Sequence, residues 1–117
     1  MAEIETVVDN YIAAWNEGDA GGRARLIAET FTDDATYLDP LMSGDGAAGI
    51  DAMIAGAQAA YPGHRFELKS GPDMHNDRVR FSWTLSGADG PVAAGTDFAL
   101  VAGDGRLEAV TGFLDQS

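Results

Sequence analysis

The period of the hydrophobic residues changes once along the chain, and this change limits the possible folds more than any other feature. In the first half, apolar residues recur three or four positions apart, as on one face of a helix. From Arg65 onward they alternate with polar residues, as in strands that bury one face. Because helical and extended segments are segregated rather than alternating, the sequence predicts an α+β fold.

Three amphipathic helices are predicted in the first half, over about residues 3–17, 20–30 and 48–60. Gly18 suits the left-handed position after the first helix, and Asp19 is placed to cap the second. The inward-facing residues are predicted to be Ile4, Val8, Tyr11, Ile12 and Trp15 in the first helix, Leu26, Ile27 and Phe31 in the second, and Ile50, Met53, Ile54 and Ala57 in the third.

The segment between the second and third helices is predicted to be largely irregular. Residues 32–34 form a turn and residues 36–39 a short extended piece, and Pro40 keeps Asp39 out of the helical region. Residues 43–49 are a glycine-rich loop. They lack the Lys-Ser/Thr ending of a phosphate-binding loop, so no nucleotide site is predicted there.

The second half predicts an antiparallel meander of four strands, at about residues 65–69, 78–86, 92–102 and 106–114. In the second of these strands, Val79, Phe81, Trp83 and Leu85 alternate with polar residues. Three N-terminal helices packed on a curved, mostly antiparallel sheet can enclose an apolar cavity. Such a cavity is the expected ligand site.

Composition narrows the classes of partner. The 117 residues predict a single domain, and 7 Lys+Arg against 19 Asp+Glu give a formal net charge of −12. Nucleic-acid binding needs clustered basic residues, so neither nucleic acid nor an anionic membrane is expected as a partner. A small molecule or another protein is expected instead.

Cysteine is absent, which excludes disulfides and thiolate metal sites. His64 and His75 fall in predicted loops without metal-ligand spacing, so no metal or other cofactor is predicted. The sequence contains no secretory signal pattern and no apolar run near the roughly 20 residues of a membrane helix. The cytoplasm is therefore the predicted location.

Three polar residues are candidates for the cavity. Tyr11 lies within an apolar helix stripe, either as a core tyrosine bonded to a backbone carbonyl or as a donor to a ligand oxygen. Asp39 shares a strand face with Tyr37, and is either a turn-capping residue or a carboxylate base in an apolar pocket.

Asp97 is the third candidate, because it interrupts an otherwise apolar strand. A buried, ionised carboxylate is costly there. Asp97 is therefore expected to lie at an exposed edge, to pair with Arg78 or Arg80, or to be a protonated donor within the cavity. The side chains predicted to contact a substrate are Trp15, Tyr37, Ile54, Phe66, Trp83 and Phe113.

Several stretches resemble the ketosteroid isomerases and the SnoaL-like proteins of the cone-shaped nuclear-transport-factor superfamily. They are Tyr11–Asp19, Phe31–Pro40, Gly46–Ile50, the strand that carries Asp97, and the Gly-Asp-Gly-Arg-Leu hairpin at 103–107. The resemblance covers nearly the whole chain. One departure is Ile54, which stands where the isomerases often carry a supporting tyrosine.

The resemblance implies an enzyme that moves a proton next to the carbonyl of a small apolar substrate without a cofactor. In that case Asp39 is similar in position to the family's general base and Tyr11 to its oxyanion-hole tyrosine. Asp97 is similar to its protonated aspartate donor. The alternatives are a SnoaL-like cyclase or hydrolase, and a binding or dimerisation module without catalysis. The resemblance also implies a homodimer through the outer face of the sheet, which carries Arg78, Arg80, Ser82 and Thr84 or the opposite set.

Overall fold

A computed structural model of the protein describes residues 3–115. Within them the predicted α+β architecture is confirmed: helices pack on one side of a curved six-stranded sheet. The elements of this range are α1 (Ile4–Asn16), α2 (Ala20–Thr30), β1 (Phe31–Leu38), β2 (Ser43–Asp45), α3 (Gly46–Ala60), β3 (Arg65–His75), β4 (Arg78–Gly87), β5 (Gly90–Val101) and β6 (Leu107–Leu114).

The strand order is β2-β1-β6-β5-β4-β3. Neighbouring strands are antiparallel except β1 and β6, which are parallel. Register shifts interrupt the β3–β4 pairing on both sides of Ser70, and such bulges bend a sheet. Gly71 lies at this bend with a φ of 95°, and a Cβ atom there would come within 3.0 Å of Phe81. The bend wraps the sheet around α1.

The alternation predicted for β4 is confirmed. Val79, Phe81, Trp83 and Leu85 are buried against the helices, whereas Arg78 and Arg80 are exposed. The inner face of α1 is also buried, through Val7, Val8, Tyr11, Ala14 and Trp15. The concave side of the sheet and α1 therefore form the walls of one apolar interior. Within residues 3–115, no helix has the length and apolar character needed to cross a membrane.

The strand β1 is longer than predicted, and the expected turn at residues 32–34 is wrong. Phe31 is the first residue of β1 rather than an inward residue of the second helix, although it is buried. The extension is stabilised by pairing between Phe31 and Leu107, and by Arg106 Nη1, which donates to the Phe31 carbonyl at 3.1 Å.

Two further segments are more extended than predicted. Ser43–Asp45 is the strand β2 rather than a loop, because it pairs with the end of β1. A Cβ atom at Gly44 would lie 2.9 Å from the Gly49 carbonyl oxygen, so the glycine permits this approach. The strand β3 continues to His75 beyond the predicted end at Lys69, since the bulges let it resume pairing with β4.

A partly buried polar cluster, centred on the buried Arg23, joins the three helices. Arg23 lies with its Nε 2.5 Å from Asp51 Oδ1, and its Nη1 donates to the Glu17 carbonyl at 3.1 Å. Gln58 Nε2 donates to the carbonyls of Trp15 and Glu17. Carbonyls at the end of α1 are thus satisfied from α2 and α3, which fixes the end of α1 that carries Trp15.

The side chain of Asn16 fixes α1 to the edge strand β3. Its Nδ2 donates to the Phe66 carbonyl and its Oδ1 accepts from the Phe66 N–H, each at 2.8 Å. The amide thereby imitates a strand partner at the edge of the sheet. Trp15 and Phe66, whose ring centroids are 5.2 Å apart, are held together by this contact.

Candidate active site

A cavity of about 140 Å³ lies between α1 and the concave face of the sheet. Most of its wall is apolar, and its polar groups come from three tyrosines, two tryptophans and two aspartates. The lining residues are Tyr11, Ile12, Trp15, Tyr37, Asp39, Leu41, Met42, Ala57, Tyr61, Phe66, Trp83, Leu85, Ala93, Asp97 and Leu114.

The first polar pair is Tyr11 and Asp97. The Tyr11 hydroxyl donates to Asp97 Oδ2 at 2.6 Å, and Trp83 Nε1 donates to Asp97 Oδ1 at 3.1 Å. Both Tyr11 and Asp97 are buried, with 1% and 2% exposure. Tyr11 therefore bonds to a carboxylate rather than to a backbone carbonyl.

The predicted alternative that Asp97 pairs with an arginine is wrong. Arg80 points away from the cavity and its Nε donates to Asp73 at 3.0 Å. Arg78 contacts its neighbour Asp77. Both arginines lie on the exposed face of β4, whereas Asp97 lies on the buried face of β5, so the sheet separates them.

Burial controls the ionisation of this pair. It raises the pKa of Asp97 from 3.8 to about 6, while the hydrogen bonds from Tyr11 and Trp83 lower it and the charge of Asp39 raises it. Burial and the charge of Asp97 hold the pKa of Tyr11 well above its usual value. Tyr11 is thus a hydrogen-bond donor at neutral pH, and Asp97 can change its charge near physiological pH.

The second polar pair is Tyr37 and Asp39. The Tyr37 hydroxyl donates to Asp39 Oδ2 at 2.6 Å, and the backbone N–H groups of Leu41 and Met42 donate to Oδ1 at 2.8 and 2.9 Å. Asp39 is half-buried at the end of β1, so its carboxylate is fixed in direction but open to the cavity. Burial, followed by the charge of Asp97, raises the pKa of Tyr37, which stays protonated.

The two pairs meet at Gly112 of β6. A Cβ atom at this position would lie 2.8 Å from Asp97 Oδ1, 3.1 Å from Asp39 Cβ and 3.2 Å from the Tyr37 hydroxyl. The missing side chain therefore gives both aspartates room in the same cavity. The family resemblance pointed to Asp39 and Asp97, but no sequence argument singled out Gly112.

Most of the predicted site residues lie on the cavity wall: Tyr11, Trp15, Tyr37, Asp39, Phe66, Trp83 and Asp97. The structure does not bring Ile54 or Phe113 there. Ile54 is fully buried on the side of α3 that faces the core, and Phe113 is 62% exposed on the outer face of the sheet.

The error at Phe113 has a simple cause. Side chains alternate along β6, so Gly112 and Leu114 face the cavity while Phe113 faces outward. Applying this period to the last strand would have predicted Leu114. The remaining lining residues that the sequence does not predict as substrate contacts are of two kinds. Leu41, Met42 and Tyr61 lie between regular elements and carry no periodic signal, whereas the others lie in helices and strands: Ile12, Ala57, Leu85 and Ala93. Across residues 3–115, no group of three His, Asp or Glu side chains is arranged to hold a metal ion.

The SnoaL-like domain model matches residues 8–110, which is most of the chain. This protein belongs to the SnoaL-like family. A SnoaL-like family protein of Agrobacterium tumefaciens strain C58, classed provisionally as an isomerase, is 44% identical to it. That similarity covers 99% of this chain and 100% of the other, with a TM-score of 0.91.

More distant structures share the fold with this SnoaL-like protein. An NTF2-like protein of unknown function from Exiguobacterium sp. 255-15 is 19% identical over 95% of this chain and 99% of its own, with a TM-score of 0.75. A Sinorhizobium meliloti protein, classed provisionally as a polyketide cyclase, is 22% identical over 92% of this chain and 93% of its own, with a TM-score of 0.72. No functionally curated protein matches the chain.

Proposed function

We propose that this SnoaL-like protein is an enzyme that moves a proton next to the carbonyl group of a small, largely apolar substrate, as ketosteroid isomerases do. The observation that carries the proposal is the pair of Tyr–Asp hydrogen bonds facing one apolar cavity. Asp39 supplies a fixed carboxylate at its wall, and Tyr11 and Asp97 supply a donor and a group that can hold a proton. A base and a donor beside an apolar volume are the requirements of enolisation.

Each group has a distinct role in the proposed reaction. Asp39 takes a proton from the carbon beside the carbonyl, and the electron pair of that C–H bond forms the enolate. When Asp97 is protonated, Tyr11 no longer has to donate to it, and the enolate oxygen accepts hydrogen bonds from both Tyr11 and Asp97. Asp39 then returns the proton to another carbon, which yields an isomer. Tyr37 and the Leu41 and Met42 amides orient Asp39.

The volume of the cavity indicates the size of the substrate. A cavity of about 150 Å³ accommodates benzene, whereas pockets for drug-sized ligands span roughly 300–1,000 Å³. The 140 Å³ here therefore suits one ring. A larger substrate has to project past Leu41 and Tyr61, which are 70% and 44% exposed at the cavity wall.

The direct test is the conversion of cyclohex-3-enone into cyclohex-2-enone. The rate is measured from the absorbance of the conjugated product. A β,γ-unsaturated ketosteroid serves as a larger substrate in parallel. We expect wild type to turn over the small ketone, and Asp39→Asn to lower kcat by about 10²- to 10⁴-fold because it removes the base. Equal rates in wild type and Asp39→Asn, or no turnover of either ketone, would reject the proposal.

A cyclase that closes a ring by an aldol step is the second candidate, since it uses the same carboxylate base on a carbon beside a carbonyl. The 44% identical Agrobacterium protein, with its isomerase description, favours isomerisation. An epoxide hydrolase with an Asp–Arg–Asp arrangement is disfavoured, because Arg80 points away from the cavity. If the cavity serves binding alone, ligands bind but no ketone is turned over and Asp39 is dispensable.

We also propose that two copies associate through the outer face of the sheet. Leu38 and Phe98 both pair in register with Thr111, and they are 58% and 39% exposed on that face, next to the exposed Phe113. Such a cluster of large apolar side chains is typical of protein interfaces. Size-exclusion chromatography tests this proposal. Phe113→Glu is expected to convert a dimer into a monomer, and a monomeric wild type at micromolar concentration would reject it.

A further inference from the structure

Trp15 differs from the other polar aromatic residues around the cavity. The hydroxyls of Tyr11 and Tyr37 and the indole N–H of Trp83 each donate to an aspartate. Trp15 is buried, with 6% exposure. Its Nε1 is one of two buried side-chain atoms in residues 3–115 that have no hydrogen-bond partner. Buried donors without partners are rare in proteins and call for an explanation.

The position of the Trp15 ring is fixed on several sides. Its centroid lies 5.2 Å from that of Phe66, 5.6 Å from that of Tyr37 and 6.3 Å from that of Tyr11. The neighbouring Asn16 ties this end of α1 to β3 through two hydrogen bonds. The indole therefore cannot turn easily to find a partner among the neighbouring residues.

The indole N–H of Trp15 acts on the Tyr11 hydroxyl. It lowers the pKa of Tyr11, as a donor near the phenol oxygen does, but the two groups form no hydrogen bond. Tyr11 and Trp15 both line the cavity. An oxygen atom bound at the Tyr11 hydroxyl is therefore close enough to receive the unused N–H as well.

Asp97 strengthens the case for this second donor. Both of its oxygens already accept hydrogen bonds, from Tyr11 and from Trp83. As a carboxylate it has no proton to offer a ligand, whereas Trp15 can donate at every pH of interest. Thr30 Oγ1, the other unpartnered buried side-chain atom in residues 3–115, is not among the residues lining the cavity.

We infer that Trp15 Nε1 is a ligand-binding donor to the oxygen of a small cyclic ketone, enol or phenol that lies near the Tyr11 hydroxyl. The inference rests on the proposed function for the class of ligand, but it concerns binding and not turnover. It assigns the acceptor oxygen to the α1 side of the cavity.

The test compares two ligands that differ by one oxygen, p-cresol and toluene, by calorimetry. In wild type we expect p-cresol to bind more tightly than toluene. In Trp15→Phe this preference should fall by roughly three- to tenfold, the effect of one hydrogen bond. The control is Phe113→Leu, which alters an aromatic residue on the outer face of the sheet, away from the cavity, and should leave the preference unchanged.

The indole N–H resonances give an independent readout. The chain has two tryptophans, so Trp15→Phe assigns the two signals. The Trp15 signal should move downfield on adding p-cresol and much less on adding toluene. An unchanged preference in Trp15→Phe, or no binding of p-cresol to wild type, would overturn the inference. A Trp15-dependent preference without turnover of any ketone would reject the catalytic proposal and uphold Trp15 as a donor.

Discussion

Gly112 lies directly opposite Asp97 in the β5–β6 register, and a Cβ atom at Gly112 would be 2.8 Å from Asp97 Oδ1. The same atom would be 3.1 Å from Asp39 Cβ. Asp97 lies in β5 and Asp39 directly follows β1, and these two strands flank β6. The residue between the two carboxylates has to be small for both to reach the cavity. Gly112 thus links the geometry of the two Tyr–Asp pairs.

We predict that Gly112→Ala damages the site more than it damages the fold. The added methyl group has to push Asp97 or Tyr37 aside, which breaks hydrogen bonds of 2.6 Å. We expect kcat for the small ketone to fall at least tenfold, because small displacements of catalytic groups are costly. Stopped-flow or steady-state absorbance measurements on the folded variant check this.

The matched control is Gly56→Ala. Gly56 is exposed within α3, and a Cβ atom there meets nothing within 4 Å. This substitution should stabilise the protein by about 0.5–1 kcal/mol and leave kcat unchanged, because alanine is the better helix former. Equal activity of the two variants would show that Gly112 does not position the site.

The buried carboxyl of Asp97 predicts how stability depends on pH. Its pKa is raised from 3.8 to about 6, so the folded state holds this proton more tightly than the unfolded state. The protonated Asp97 therefore stabilises the folded state. This stabilisation is complete below pH 3.8 and is lost as the pH rises to about 6, a difference of about 3 kcal/mol in the free energy of unfolding. Urea unfolding of wild type and Asp97→Asn between pH 4 and 8 measures it. The wild-type free energy of unfolding, relative to the variant, should fall over this window and then level off; a rise would contradict the assignment.

Tyr11→Phe is predicted to make Asp97 harder to ionise. The Tyr11 hydrogen bond lowers the pKa of Asp97, so its removal should raise that pKa above 6. Carbon-13 NMR titration of the aspartate carboxyls measures the change directly. Tyr37→Phe is the control, since Tyr37 donates to Asp39 rather than to Asp97. An Asp97 titration that is the same in Tyr11→Phe and wild type would show that this hydrogen bond is absent in solution.

Local periodicity made the helices and the long strands predictable. The faces of α1 and β4 follow from spacings of three to four and of two. The structure buries all four expected residues of β4, whereas on α1 it buries Val8, Tyr11 and Trp15 and leaves Ile4 and Ile12 partly buried. The sequence predicts too little extended structure at two places, Phe31–Leu38 and Ser43–Asp45. These segments become strands because β1 pairs with β6 and β2 pairs with β1. Such pairing joins residues far apart in the sequence, and no local pattern reports it.

For the candidate site, the identities of Tyr11, Asp39 and Asp97 could be proposed from the sequence, but their partners could not. The sequence leaves an ion pair between Asp97 and an arginine open, because opposite charges can pair across neighbouring strands. The structure instead joins it to Tyr11, which is 86 positions away in the chain. Contacts between a helix and a distant strand arise from the packing of the whole fold. The same packing brings Gly112 and Leu114 of β6 to the cavity.

The partly buried polar cluster around Arg23 is predicted to stabilise the fold that holds Trp15. Arg23→Met leaves the partly buried Asp51 carboxylate without its ion-pair partner and removes one of the two donors to the Glu17 carbonyl, so we expect a loss of about 2 kcal/mol in the free energy of unfolding. Arg80→Met is the control, because the Arg80–Asp73 ion pair is exposed and should contribute less than about 1 kcal/mol. Chemical denaturation of both variants measures the difference. A loss at Arg23 no larger than that at Arg80 would show that the cluster does not stabilise the contacts between the helices.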